Sequence, residues 1–218
     1  MRMEHWISIL ILLFMGAVSL YGLNSIAPNA MLPSHWNIRG EVDDYSSRNS
    51  LLVFAPALGA IVAIIFSAIP YIDPRRHNVL RSSGLYFATW FGSLGLLAVI
   101  HFVIITAGAR GVEPDTSFIL LPLCVLLAVV GNYMAKSRSS WFIGLRTPWT
   151  LTSETAWIAA NRTAGWLFVL TGAVAAVSSY ITDAETAFII MGAGLLASAL
   201  IGVVVSYRVW RNDPERAK

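Results

Sequence analysis

Long apolar runs, broken by short polar connections, set the pattern of this chain. They cover roughly 6–23, 51–72, 85–107, 117–135, 163–181 and 187–207. A helix rises about 1.5 Å per residue and a bilayer core is about 30 Å thick, so about 20 apolar residues cross it. Each run is close to that length. Only a helix satisfies all its backbone hydrogen bonds within one such segment, so the pattern predicts an all-α membrane protein, a six-transmembrane-helix bundle. The polar connections alternate between the two ends of that bundle. Two are long: an ordered outer loop after the first helix, residues 24–50, and an inner loop between the fourth and fifth helices, residues 136–162.

Composition agrees, with 56% hydrophobic and 12% charged residues in 218, against about 25% charged in soluble domains. The connections are too short for a second folded core, so residues 1–218 read as one integral membrane domain. Within it, 1–80 forms an N-terminal region and 117–207 a C-terminal one. Cys124, the single cysteine, lies in the fourth span and reads as a packing residue. The first run exceeds the apolar length of a cleavable signal, and Pro28 follows the best cleavage point, so an uncleaved first helix is expected.

Charge gives an orientation. With the N-terminus inside, twelve of the fifteen Lys and Arg fall on the inner face (Arg2, Arg75, Arg76, Arg81, Lys136, Arg138, Arg146, Arg162, Arg208, Arg211, Arg216, Lys218), and three fall outside (Arg39, Arg48, Arg110). The positive-inside bias therefore predicts cytoplasmic N- and C-termini. The inner face carries +7 and the outer face −4. The basic balance reads as contact with anionic lipid, with no direct nucleic-acid binding.

Within the spans only His101 is ionisable, so no buried charge path of the kind used by ion-coupled transporters is present. No HExxH, GxSxG or paired intramembrane aspartate appears; no catalytic residue, cofactor or metal is expected, and the chain reads as non-enzymatic. His35, Glu41, Asp43 and Asp44 match neither a zinc nor an EF-hand spacing. Gly194, Ser198 and Gly202 form a small-residue stripe on the sixth span, as do Gly165, Gly172 and Ala176 on the fifth; packing within the chain is favoured, and a homodimer or larger membrane complex is left open. Pro56 and Pro122 read as lying in the first two turns of their helices.

The outer loop reads LPSHWNIRGEVDDYSSR. Its dense charges make it either a folded cap or a recognition surface anchored by Trp36 and Tyr45. The inner loop carries Lys136, Arg138, Trp141, Phe142, Gly144 and the turn Arg146-Thr147-Pro148. Thr152 or Ser153 then caps a new helix, with Glu154 in its first turn. It reads as an interfacial amphipathic elbow, with aromatics in the headgroup layer and basic residues on phosphates. Arg146 near a helix start is the candidate phosphate contact.

At these loops the sequence resembles the SdpI-type immunity proteins of bacteria. The first carries Leu32, Pro33, His35, Trp36, Asn37, Gly40, Glu41, Asp43 and Tyr45. The second carries Asn132, Tyr133, Met134, Lys136, Trp141, Phe142, Ile143, Gly144, Arg146, Thr147, Pro148, Trp149, Thr150, Leu151, Ser153 and Trp157, extended by Asn161, Arg162 and Gly165. The resemblance runs over nearly the whole chain; Ala135 and Arg138 depart mildly from the pattern. It implies a bacterial cell-membrane protein that protects against a secreted antimicrobial peptide and holds a cognate repressor at the membrane. The implied ligand surface is His35, Trp36, Asn37, Gly40, Glu41, Asp43 and Tyr45. The implied inner contact for a repressor or lipid is Lys136, Arg138, Trp141, Gly144, Arg146, Thr147, Pro148, Trp149 and Trp157. An accessory or scaffold subunit of a membrane assembly is the alternative, and a transporter or lipid-active enzyme a weaker third.

Overall fold

The computed structural model describes residues 3–216; Arg2 and Lys218, two of the inner-face cations, lie outside the described residues. Six helices are long and apolar enough to cross a membrane: α1 (Met3–Ser25), α2 (Arg48–Ile72), α4 (Ser83–Arg110), α5 (Ser117–Met134), α7 (Glu154–Ile181) and α8 (Ala184–Arg211). The protein is a multi-pass membrane protein, and the expected bundle is what forms. Two short helices, α3 (Arg76–Arg81) and α6 (Pro148–Thr152), sit in the connections.

The spans form two three-helix halves. In the first, α1, α2 and α4 pack together; in the second, α7 packs on both α5 and α8, and α4 against α5 joins the halves. Aromatic residues fill the first core, where Trp90 stacks on Phe66 and Phe91 and meets Tyr86 edge-on. Small residues set the second. A Cβ on Gly172 would lie 2.6 Å from the Cys124 carbonyl oxygen. Gly194 abuts Thr171, and Gly202 abuts Leu145 and Ala164. The small-residue stripe of the sixth span therefore faces α7 of its own chain.

Two prolines lie inside α2, and one of them, Pro56, lies deeper than the apolar pattern suggested. The helix starts at Arg48, so Pro56 falls in its third turn, and Pro70 lies near its end. A proline lacks the N–H that would bond the carbonyl four residues back, and a freed carbonyl in hydrocarbon needs another donor. Both carbonyls have one. Ser19 Oγ of α1 donates to Leu52 O at 2.7 Å, and Tyr86 OH of α4 donates to Phe66 O at 2.6 Å. Ser19 also lies 3.0 Å from His101 Nε2. Since its single proton goes to Leu52, the imidazole Nε2–H donates to Ser19. His101 thus completes a hydrogen-bonded tie between α4, α1 and α2.

Residues 26–47 are not merely a loop. Strands β1 (Met31–Trp36) and β2 (Val42–Ser47) form an antiparallel hairpin, irregular around His35. The apolar/polar alternation is too short and too charged to announce it. Its turn is built by Asn37, whose side-chain oxygen accepts from the N–H groups of Arg39 and Glu41, and by Gly40 at φ +78°, a conformation that only glycine adopts readily. Buried Leu32 seats the hairpin on α4 beside Gly108. Arg48, grouped in the sequence with the loop's exposed charges, is instead buried: its guanidinium donates to Ile26 O at 2.7 Å and to Leu23 O at 3.2 Å, closing the carbonyl end of α1.

Candidate functional site

The hairpin and the elbow lie at opposite ends of the bundle. At the hairpin end, Thr116 Oγ1 donates to Gly40 O at 2.9 Å and Tyr45 OH donates to Glu113 Oε1 at 2.7 Å. These bonds fasten the hairpin to the connection between α4 and α5. Its residues then divide by task. Asn37, Gly40 and Glu41 build the turn, Asn37 Nδ2 donating to Glu41 Oε2 at 2.9 Å. Trp36, expected as an outer anchor, is half-buried and packs on the Ile26–Leu32–Leu52 cluster. His35, Asp43, Asp44 and Tyr45 are exposed, with His35 Nδ1 2.6 Å from Asp43 Oδ1. Ile38 is exposed at the tip; an isoleucine inside a turn is a signal the sequence reading passed over.

The Glu113 hydrogen bond raises the Tyr45 pKa above its ordinary value, with desolvation and the Glu113 charge adding to it. The tether is therefore fully present below about pH 10, the ordinary tyrosine range, and is lost as pH rises through the raised value. Hydrogen exchange in residues 31–47 is expected to be unchanged in its protection between neutral pH and about pH 9 and to lose protection above about pH 10. Tyr45→Phe is expected to show the loosened hairpin at every pH.

At the other end, the elbow is mostly irregular chain wrapped over α7. Trp157 is fully buried, and its Nε1–H donates to Ser137 O at 3.1 Å. Asn161 Oδ1 accepts from Leu145 N at 2.7 Å. Gly144 crosses these two side chains at φ +108°, and a Cβ there would come within 2.8 Å of both. Thr147 caps α6, takes part in a capping box with Thr150, and donates to Ser206 on α8 at 3.1 Å; Pro148 follows at the first helical position. Trp149 packs on Tyr207 with ring centroids 5.0 Å apart. Ser153, as expected, caps the next helix, accepting from Ala156 N. The elbow thus departs from a purely interfacial segment: Gly144, Thr147 and Trp157 hold it together from within, while Lys136, Arg138, Trp141, Arg146 and Pro148 are exposed.

The sequence reading missed what fastens the elbow down. Buried Asp73, which ends α2, accepts from Trp141 N at 3.1 Å and from Arg75 N at 2.7 Å. Arg75 donates to Ser139 Oγ and, at 2.6 Å, to Leu151 O; Asn78 Nδ2 donates to Ser139 O; Arg138 N donates to Ser82 Oγ. A carboxylate at a helix C-terminus opposes the helix dipole, and that mismatch was the available clue. On the α8 side, Asp213 accepts from Ser153 Oγ and from Thr155 Oγ1. Those two hydroxyls, with Glu215 N, hold its carboxyl below the ordinary value. The contribution is complete above the unfolded carboxylate range and fades only as pH falls through the lower folded value, so the clasp holds in mild acid. Among the described residues no three His, Cys, Asp or Glu side chains converge on a common point.

These features define a class: a six-span helical membrane protein of two three-helix halves, capped by a hairpin at one end and by a latched elbow at the other. Residues 136–206 match the family model described as the SdpI/YfhL protein family, and residues 8–60 match a domain of unknown function (DUF1648). The immunity protein SdpI of Bacillus subtilis (strain 168) is 35% identical over 103 residues, which is 47% of this chain and 49% of that protein. The alignment thus spans about half the length of that relative. No solved structure matches. In the segments they cover, these matches show that the chain is similar to SdpI-type membrane proteins.

Proposed function

We propose that this protein confers immunity to a secreted antimicrobial peptide, with the hairpin outside as receptor and the elbow on the cytoplasmic side. The carrying observation is the exposed set His35, Asp43, Asp44 and Tyr45 on a hairpin that the Tyr45–Glu113 and Thr116–Gly40 hydrogen bonds fix to the bundle. Similarity to an immunity protein supports the reading. Two adjacent carboxylates at the membrane surface attract a cationic amphipathic peptide, and the aromatic and apolar residues beside them, Tyr45 and Ile38, offer it contact. The elbow's exposed Lys136, Arg138 and Trp141 face the cytosol in this arrangement, where they form a seat for a cognate repressor. The protein acts by binding and carries out no covalent chemistry. The stripe that would serve an accessory-subunit role is covered by α7 and offers no seat to a second chain.

Cells lacking the protein are expected to become sensitive to a membrane-active peptide secreted by the same strain or a neighbour, with survival restored by complementation. Asp43→Ala with Asp44→Ala is expected to lower the tolerated peptide concentration by about fivefold, the equivalent of about 1 kcal/mol, at unchanged membrane abundance. If deletion and complemented strains survive every such peptide equally, the immunity reading fails.

A further inference from the structure

A cleft separates the two halves at the elbow end. Helix α2 packs on α1 and α4, and among the described residues it makes no packing contact with α5 or α7. The space left is a cavity of about 400 Å³. Its walls include Phe66 and Ile69 of α2, Leu85 of α4, Met134 of α5 and Phe168 of α7, and residues 142–146 of the elbow roof it. The lining from α2, α4 and α5 covers one turn of each (65–69, 85–89, 130–134), next to the end where the elbow lies. That places the cavity just inside the polar boundary, at the depth of the upper acyl chain. The one wall hydroxyl, Thr89 Oγ1, donates to Leu85 O in its own helix. At the mouth stands exposed Arg146. One of its N–H groups donates to Trp141 O at 2.9 Å, and no other protein partner takes the rest among the described residues. No carboxylate lines the cavity.

We infer that this cleft is a binding site for an anionic phospholipid, with an acyl chain between the halves and its phosphate on Arg146. An apolar cavity of a few hundred Å³ with one placed charge is the usual make-up of a site for an amphiphile. A guanidinium presents donors in the geometry that a phosphate accepts. The occupant comes from the bilayer, because the cavity lies within the membrane span and only a lipid brings an acyl chain and a phosphate to that depth together. Such a lipid would wedge α2 against α5 and α7, so its departure changes the relation of the halves beneath the elbow. The inference does not depend on immunity, since lipid retention is read directly.

The full-length protein in detergent would be titrated with phosphatidylglycerol and with phosphatidylcholine, and bound lipid counted by native mass spectrometry. Wild type is expected to prefer phosphatidylglycerol. Arg146→Gln should weaken that lipid about fivefold, the effect of one cation at a membrane surface, and leave phosphatidylcholine unchanged. Val130→Trp, which fills the cavity, should reduce both. Arg208→Gln with Arg211→Gln alters a separate basic groove beside Trp149 and Tyr207 and should change neither. A thermal midpoint near wild type certifies the Arg146→Gln protein as folded. Unchanged phosphatidylglycerol preference in that variant overturns the inference. So does a preference lost only with Arg208 and Arg211, or displacement of the lipid by inorganic phosphate, which would mark a free-anion site.

Discussion

Gly165→Leu is expected to leave almost no folded protein in the membrane. A Cβ at this position would lie 2.5 Å from the Gly131 carbonyl oxygen and 3.0 Å from Ala135 N. Both are backbone atoms, so no rotamer change relieves the overlap, and α5 and α7 must move apart. The contact is reciprocal, since a Cβ on Gly131 would lie 2.5 Å from Gly165 O, and it recurs two turns away where Gly172 meets the Cys124 carbonyl. Ordinary overpacking costs about 1–3 kcal/mol; here the loss includes the whole α5–α7 seam. Lipid tails offer no hydrophobic drive to re-form it. Gly165→Ala introduces the same Cβ with less bulk and is expected to fold with a lowered thermal midpoint. Gly16→Leu is the control, because nothing lies within 4 Å of a Cβ there. Monodisperse yield after detergent extraction and the thermal midpoint give the readout. A Gly165→Leu protein as stable as the Gly16→Leu protein would mean that the helices do not cross at these glycines.

Much of this architecture is legible in the apolar runs because the bilayer imposes one length and one backbone solution on every crossing. The elbow's capping chemistry is legible too: Pro148 and Ser153 are local signals, read from neighbours a few residues away. Contacts set by distant residues are not. Arg48 looks like one more loop cation until the carbonyl end of α1 comes within its reach. Trp36 and Trp157 look like interfacial anchors, yet one half-faces the bundle and the other lies wholly inside it. Pro56 is legible as a proline but not as a tie, since its consequence is the Ser19 hydroxyl on another helix. The hairpin escaped notice because its outward residues are as polar as a loop's, and its inward ones, Leu32 and Pro33, are only two.

Asp73→Ala is expected to release the elbow while leaving the spans in place. Asp73 is 3% exposed, and its two carboxylate oxygens accept from the N–H groups of Trp141 and Arg75. Removing the carboxylate strands both donors, at about 1–3 kcal/mol for each buried group left without a partner. The loss extends further, because Arg75 is positioned by that bond to reach Ser139 and Leu151 O. The first half holds the elbow through residues 73–82, so chain 137–147 should become a preferred site of proteolysis, with α5, α7 and α8 still packed through their own seam. Asp73→Asn keeps one acceptor and turns an NH₂ toward the other donor, so it should fall between alanine and wild type. The exposed Arg138–Glu154 pair, 3.5 Å apart, gives the contrast: Glu154→Gln removes a surface ion pair worth about 0–1 kcal/mol and should leave the elbow protected. Limited proteolysis of the detergent-solubilised variants orders these effects. If Asp73→Ala resists cleavage as wild type does, the connection between α2 and α4 does not latch the elbow, and the two halves communicate only through the α4–α5 contact.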